Sequence, residues 1–250
     1  MTIASLAMYP FTPLRVANDR FWDSVRSRLS FAAPVLDWDL DPLAAGRRDD
    51  LILGQTCGWP LVTELASNVR VIGTFDFDVE GSSDGTYASV LVSGTGDELD
   101  DILHRRDLVV AASSSDSLSG WISLRSAAAA RGVRLDGPDQ IKWTGAHAVS
   151  VEALRAGRVH LAAIDAVSWA HLGGAGQGLS VVGHGPRIPC LPLITSGSTS
   201  DAVVEELRTA LAATVHDPAI NDVCTTLRIR AFLRRDLADY NGILELAELW

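Results

Sequence analysis

Val109-Val-Ala-Ala-Ser-Ser-Ser-Asp-Ser-Leu-Ser-Gly-Trp121 is the stretch on which the reading of the fold turns. A short apolar run of strand length passes into hydroxyl-bearing residues. Ser119-Gly120 then opens an Ala-rich segment that carries Trp121, Leu124 and Ala128 at helical spacing. Strand, tight polar turn and helix in succession are half of a βαβ unit, the building block of an α/β protein. Such a helix start presents backbone N–H groups reinforced by the macrodipole. With the Ser117 and Ser119 hydroxyls beside them, those amides can hold an anion without any cation. Helix capping by the same serines is the simpler role that the local sequence equally allows.

The same alternation extends in both directions. Strands are expected near Ile3–Met8, Leu51–Leu53, Val69–Phe75, Tyr87–Val92, Leu108–Ala112, His160–Ile164 and Leu191–Thr195. Between them, Thr12-Pro13 predicts a cap and first-turn proline ahead of Leu14, Ala17, Phe21, Val25 and Leu29. Apolar faces recur at Leu99/Leu103, at Val151/Leu154 with Gly157 as a stop, at Val203/Leu207/Leu211, and after Asp217-Pro218 at Ile220, Val223 and Leu227. Gly- and Ser-rich stretches at Gly81–Gly85, Gly173–Gly178 and Thr195–Ser200 punctuate the pattern. A chain that leaves a first lobe near Tyr87–Ser93 and returns near Pro186–Thr195 forms two α/β lobes with mixed, mainly parallel sheets and two hinge strands. Lobe 1 is expected at 1–88 plus 191–250 and lobe 2 at 89–190.

Composition bounds what such a protein can do. The chain has 250 residues, 47% hydrophobic and 21% charged, which suits a folded globular protein. Its 21 Lys plus Arg against 31 Asp plus Glu leave a formal charge of −10, which argues against nucleic acids and anionic membranes as partners. No window is apolar over enough length to span a bilayer. Met1-Thr-Ile-Ala-Ser-Leu-Ala-Met lacks the basic and long apolar regions of a secretory leader and is expected to be a strand. Cys57, Cys190 and Cys224 are odd in number and widely spaced, so a disulfide framework is not expected.

Three further loops carry polar chemistry. Trp143-Thr-Gly-Ala-His147 places His147 at a helix start, where the dipole disfavours its protonation but leaves it able to donate to an anion. Asp165 ends the apolar run His160–Ile164, and open parallel sheets bind ligands beyond the carboxyl ends of their strands. Its alternative role is the N-cap of the next helix. Gln55-Thr-Cys-Gly-Trp-Pro60 sets Trp59 in a loop, as a wall for an apolar ligand portion or as ordinary core.

Other motifs fail on their own terms. Gly173-Gly-Ala-Gly-Gln-Gly lacks the GK[ST] ending of a phosphate-binding loop. Asp37-Trp-Asp-Leu-Asp41 begins like a calcium loop but has Pro42 and Arg48 where a glycine and an acid are needed. The six histidines form no metal-ligand pattern, so neither a metal nor a cofactor is expected. No GxSxG elbow is present, which leaves catalysis by Ser117 or Ser119 without its usual nucleophile turn.

Gln55-Thr-Cys-Gly-Trp-Pro, Asp116-Ser-Leu-Ser-Gly-Trp, Thr144-Gly-Ala-His and Ala162-Ala-Ile-Asp165, in this order, resemble the phosphate/phosphite/phosphonate-binding proteins of ABC transporters. The resemblance implies the type II periplasmic-binding-protein fold, with a ligand clamped between two lobes. It implies that Ser117, Ser119 and the amides through Leu118 and Gly120 hold phosphoryl-type oxygens and that His147 donates from the second lobe. Asp165 would meet a ligand hydroxyl or amine, and Tyr87, Trp59 and Tyr9 would complete the walls. Leu118 stands where the family often has threonine, which removes one donor. The implied partners are a small anionic ligand and an ABC permease, with a monomer or weak dimer as the state of the chain. The family implies a periplasmic location, whereas residues without a leader are what a cytoplasmic protein would show. The competing classes are a cytoplasmic enzyme on the same scaffold, resembling those of menaquinone or thiamine synthesis and acting on a carboxylated metabolite, and a ligand sensor.

Overall fold

The computed structural model describes residues 2–137, 139–173 and 178–246. Ten strands follow along the described chain: β1 (Ile3–Ser5), β2 (Leu51–Gln55), β3 (Val69–Phe77), β4 (Thr86–Ser93), β5 (Val110–Ala112), β6 (Ile141–Trp143), β7 (Leu161–Ile164), β8 (Ser180–Pro189), β9 (Pro192–Ser196) and β10 (Ile229–Arg234). They form two five-stranded sheets, ordered β1-β2-β9-β3-β10 and β6-β5-β7-β4-β8. The fold class is the expected α/β with two mixed sheets. Parallel pairing joins β1 to β2 and β5 to both β6 and β7. The antiparallel pairs come from β9 on β2 and β3, β10 on β3, and β4 on β7.

The chain divides into two compact units. The first holds 2–78, Ser82–Thr86 and Pro189–Asn241, and the second holds Val79–Gly81, Tyr87–Ile188 and the turn Gly242–Glu245. The first unit buries the face of the helix Thr12–Arg26 that carries Leu14, Ala17, Phe21 and Val25. Phe21 meets Phe75 edge-on at 5.4 Å, and Phe75 in turn meets Phe77 at 6.1 Å and Phe232 at 6.4 Å, so helix and sheet share one aromatic core. Gly73 is glycine for a steric reason: a Cβ there would lie 2.4 Å from the Leu233 carbonyl oxygen. The second unit is built on a cluster that includes Val90, Val92, Ala111, Val151, Leu154, Ala162 and Ile164, sealed by Trp169.

Several local expectations are corrected. Thr12 is the first helical residue and not the cap. Phe11 holds the cap position and makes no side-chain cap bond, while Pro13 lies in the first turn as expected. The helix ends at Arg26, so Leu29 lies beyond it. In the helix Asp201–Val215 the buried face includes Val204, Leu207, Ala210 and Leu211, and Val203, beside it, is half-buried. Asp37 and Asp41 are occupied in turn and cap: Asp37 accepts from the Asp39 and Leu40 amides, and Asp41 caps Pro42–Gly46 through the Ala44 amide. Of the glycine-rich loop Gly173–Gly178, residues 174–177 lie outside the described residues.

Candidate functional site

All the polar residues singled out by the sequence, apart from those on the first unit, converge in the second unit at the carboxyl ends of β5, β6 and β7. Strand β5 ends at Ala112, the chain turns through Ser113–Asp116, and a helical run opens at Leu118 and continues to Ala129. Its N-cap is Ser117, so the run opens at Leu118, one residue earlier than the expected Ser119. The Ser117 hydroxyl accepts the Gly120 amide at 3.0 Å. Capping therefore occurs, but it satisfies one amide only. The other amides of a first turn have no acceptor within their own helix.

Gly120 is the steric key to this loop. A Cβ there would lie 2.8 Å from the Ser117 hydroxyl oxygen and 2.9 Å from that of Ser113, so a side chain enters the turn only if both serine hydroxyls rotate away. Ser113 was not singled out in the sequence, since three consecutive serines give no signal of which one turns inward. Leu118 is buried, so its side chain packs into the unit and only its backbone faces the loop.

The loop after β6 is fastened to the serine loop. The Thr144 amide donates to the Ala112 carbonyl and the Gly145 amide to the Ser113 carbonyl, both at 2.9 Å, and Gly145 takes φ +80°, where glycine is favoured. This fastening brings His147, first residue of the helix His147–Arg155, to Ser119: His147 Nε2 and Ser119 Oγ are 3.1 Å apart. His147 Nδ1 is buried without a hydrogen-bond partner. Burial pushes the His147 pKa down from its ordinary value, while the Asp165 carboxylate and the Ala163 carbonyl act in the opposite direction. Burial thus favours the neutral ring, which keeps one N–H.

Asp165 is buried at the end of β7 and is occupied on both oxygens. Oδ1 accepts the Ser168 amide at 2.8 Å, the N-cap role, and Oδ2 accepts the Tyr87 hydroxyl at 2.5 Å. The structure thus forms two polar pairs here, Tyr87 with Asp165 and Ser119 with His147, and the Asp165 charge acts on the His147 ring. Trp59 and Tyr9 belong to the first unit. Trp59 is half-buried in the turn Gly58–Pro60, and Tyr9 is buried edge-on to Phe77 at 5.9 Å.

Among the described residues no group of His, Cys, Asp or Glu side chains could hold a metal ion. No disulfide joins Cys57, Cys190 and Cys224. No described helix is long and apolar enough to cross a membrane.

A two-unit α/β fold with a hydroxyl-rich helix start at the strand ends defines a substrate-binding protein of the type II periplasmic kind. Residues 44–240 match the family described as ABC transporter, phosphonate, periplasmic substrate-binding protein, and the chain belongs to it. Comparison with curated proteins gives no match. Among solved structures, a binding-protein component of an ABC phosphonate transporter, PA3383 from Pseudomonas aeruginosa, is similar with a TM-score of 0.74 at 18% identity, over 99% of this chain and 85% of that one. PhnD1 from Prochlorococcus marinus in complex with methylphosphonate gives 0.69 at 15% identity, over 94% and 93%. XAC2383 from Xanthomonas citri bound to ATP gives 0.69 at 13% identity, over 100% and 96%.

Proposed function

We propose that this chain captures a phosphonate- or phosphate-type oxyanion at the serine loop of its second unit and delivers it to an ABC permease. The observation that carries the reading is the meeting of Ser119 and His147, residues from two separate loops, at the start of one helix. Ser117, Ser119 and the backbone through Leu118 and Gly120 supply amide and hydroxyl donors, and neutral His147 supplies an N–H. Tyr87 and Asp165 fix the floor beside the ring and offer the contact for a ligand hydroxyl or amine. Trp59 and Tyr9, in the first unit, are proposed as ligand contacts on the family resemblance. No cation lies in these loops.

The reading is of binding without chemistry. A catalytic imidazole is oriented by a carboxylate on its second nitrogen. Here both Asp165 oxygens accept from Tyr87 and Ser168, and His147 Nδ1 has no partner.

Methylphosphonate, phosphite and phosphate at millimolar concentration should raise the melting temperature by mass action, and sulfate should do so less. Ser119→Ala combined with His147→Ala should abolish the shift. A shift that survives in the double variant places the ligand elsewhere, and the absence of any shift removes the oxyanion reading.

A further inference from the structure

We propose that Trp143 is a specificity-determining wall of the serine-loop site, which favours oxyanions carrying an aromatic or other planar apolar substituent over the bare anion or its methyl form. The inference rests on the oxyanion reading above and concerns the part of the ligand that the serines do not hold. Trp143 is 49% exposed, an unusual state for an indole that could bury its faces against an apolar core. It is the last residue of β6, on the edge of its sheet, and stands in register with Ala112, the residue immediately before the serine loop. Four residues later comes His147, and the two amides that fasten this segment to Ala112 and Ser113 lie between them.

The exposed indole is also held in place. Trp121, two residues past Ser119 and itself buried, meets Trp143 edge to face at 5.4 Å. The Arg125 guanidinium lies over the Trp121 ring at 5.6 Å, one helical turn further on. An aromatic ring fixed by a second ring, whose partner is in turn covered by a guanidinium, is pre-organised, so stacking against it loses little rotamer freedom. The two tryptophans flank the two loops that supply Ser119 and His147. On this proposal, a substituent of the bound oxyanion meets the exposed indole.

The test is isothermal titration of methylphosphonate and phenylphosphonate against wild type, Trp143→Ala, Trp143→Phe and the Ser119→Ala/His147→Ala double variant. Covering part of an exposed indole with a phenyl ring is expected to favour phenylphosphonate over methylphosphonate by about tenfold in the wild type. In Trp143→Ala that ratio should fall to about one, and Trp143→Phe should restore most of it. Because the readout is a ratio within each variant, a general weakening by mutation cannot imitate the effect. Equal affinities in the wild type, or an unchanged ratio in Trp143→Ala, overturn the inference while leaving the oxyanion site standing. Failure of both ligands to bind the wild type, or undiminished binding by the double variant, overturns the oxyanion reading and the inference with it.

Discussion

Replacing Gly120 with alanine separates the serine loop's service to the fold from its service to a ligand. The backbone there is helical, so alanine gains about 0.5–1 kcal/mol over glycine from the smaller conformational entropy lost on folding. Against this, the new Cβ would lie 2.8 Å from the Ser117 hydroxyl oxygen, 2.9 Å from that of Ser113 and 3.3 Å from the Ser117 Cβ. The last contact is tolerable, while the first two require both hydroxyls to rotate away. Rotation of Ser117 breaks its 3.0 Å bond to the Gly120 amide, and losing an N-cap costs about 0.5–2 kcal/mol. The two effects largely offset, leaving at most about 1.5 kcal/mol, so the melting temperature should move by no more than about 6 °C, at roughly 2–4 °C per kcal/mol for a chain of this size. Binding has no such offset. The hydroxyl proposed to meet the oxyanion is displaced and a methyl group enters the turn, so methylphosphonate affinity should fall at least about tenfold, equivalent to about 1.4 kcal/mol. Titration calorimetry beside thermal unfolding reads both quantities. Affinity within twofold of wild type would show that the loop is not the ligand cradle, and a melting temperature lowered by more than about 10 °C would show that the steric account of Gly120 understates its part in folding.

Tyr87→Phe removes the donor to a buried carboxylate oxygen and should cost about 1.5–3 kcal/mol in denaturant unfolding, since bonds to charged groups are the strong ones; an unchanged midpoint would mean that Asp165 is satisfied without Tyr87. His147 has a folded pKa below its unfolded value, so the unfolded chain binds the extra proton and stability falls as pH drops through about 6.5. Between pH 7.5 and 5, His147→Gln should therefore lose less stability than wild type in paired thermal melts, and parallel profiles would show that the ring is not desolvated.

What the sequence made legible follows from where its signals are local. Strands β2, β5, β7 and β9 are largely apolar runs of three to five residues bounded by polar turns, and they are readable because burial on both faces demands hydrophobicity. Strands β6 and β8 escaped notice because they are edges: β6 is three residues with Lys142 and Trp143 exposed, and β8 carries Gly183, Gly185, Pro186 and Pro189 in a largely exposed pattern. Strand β10 was hidden by an unusual helix ending. The helix Asn221–Leu227 stops at Arg228 with φ +55°, where glycine would have announced the stop, so nothing separates helix from strand in the residue pattern. The serine loop could be read as an anion site or as a cap because both roles call on the same residue types, and the structure shows Ser117 capping while Ser119 turns to His147. The bond from Tyr87 to Asp165 spans 78 residues and has no counterpart in the sequence at all.

The charge of −10 constrains how such a site can work. Many arginines elsewhere are matched to carboxylates, as Arg20 is to Asp222, Arg234 to Glu205 and Arg131 to Asp100, and Arg125, near the serine loop, lies over the Trp121 ring. The carboxylate closest to the chemistry, Asp165, has both oxygens directed at Tyr87 and Ser168, so its charge is held by donors of its own. His147 is kept neutral by burial despite that charge. On the proposed reading, recognition is left to groups without net charge, each effective over a few ångströms and only along its own direction. Neutral donors favour an oxyanion whose oxygens fit their positions over one that carries more charge, and ionic strength screens them little. A site so insensitive to charge must find its discrimination among oxyanions elsewhere, in the shape around the serine loop and in what stands beside it.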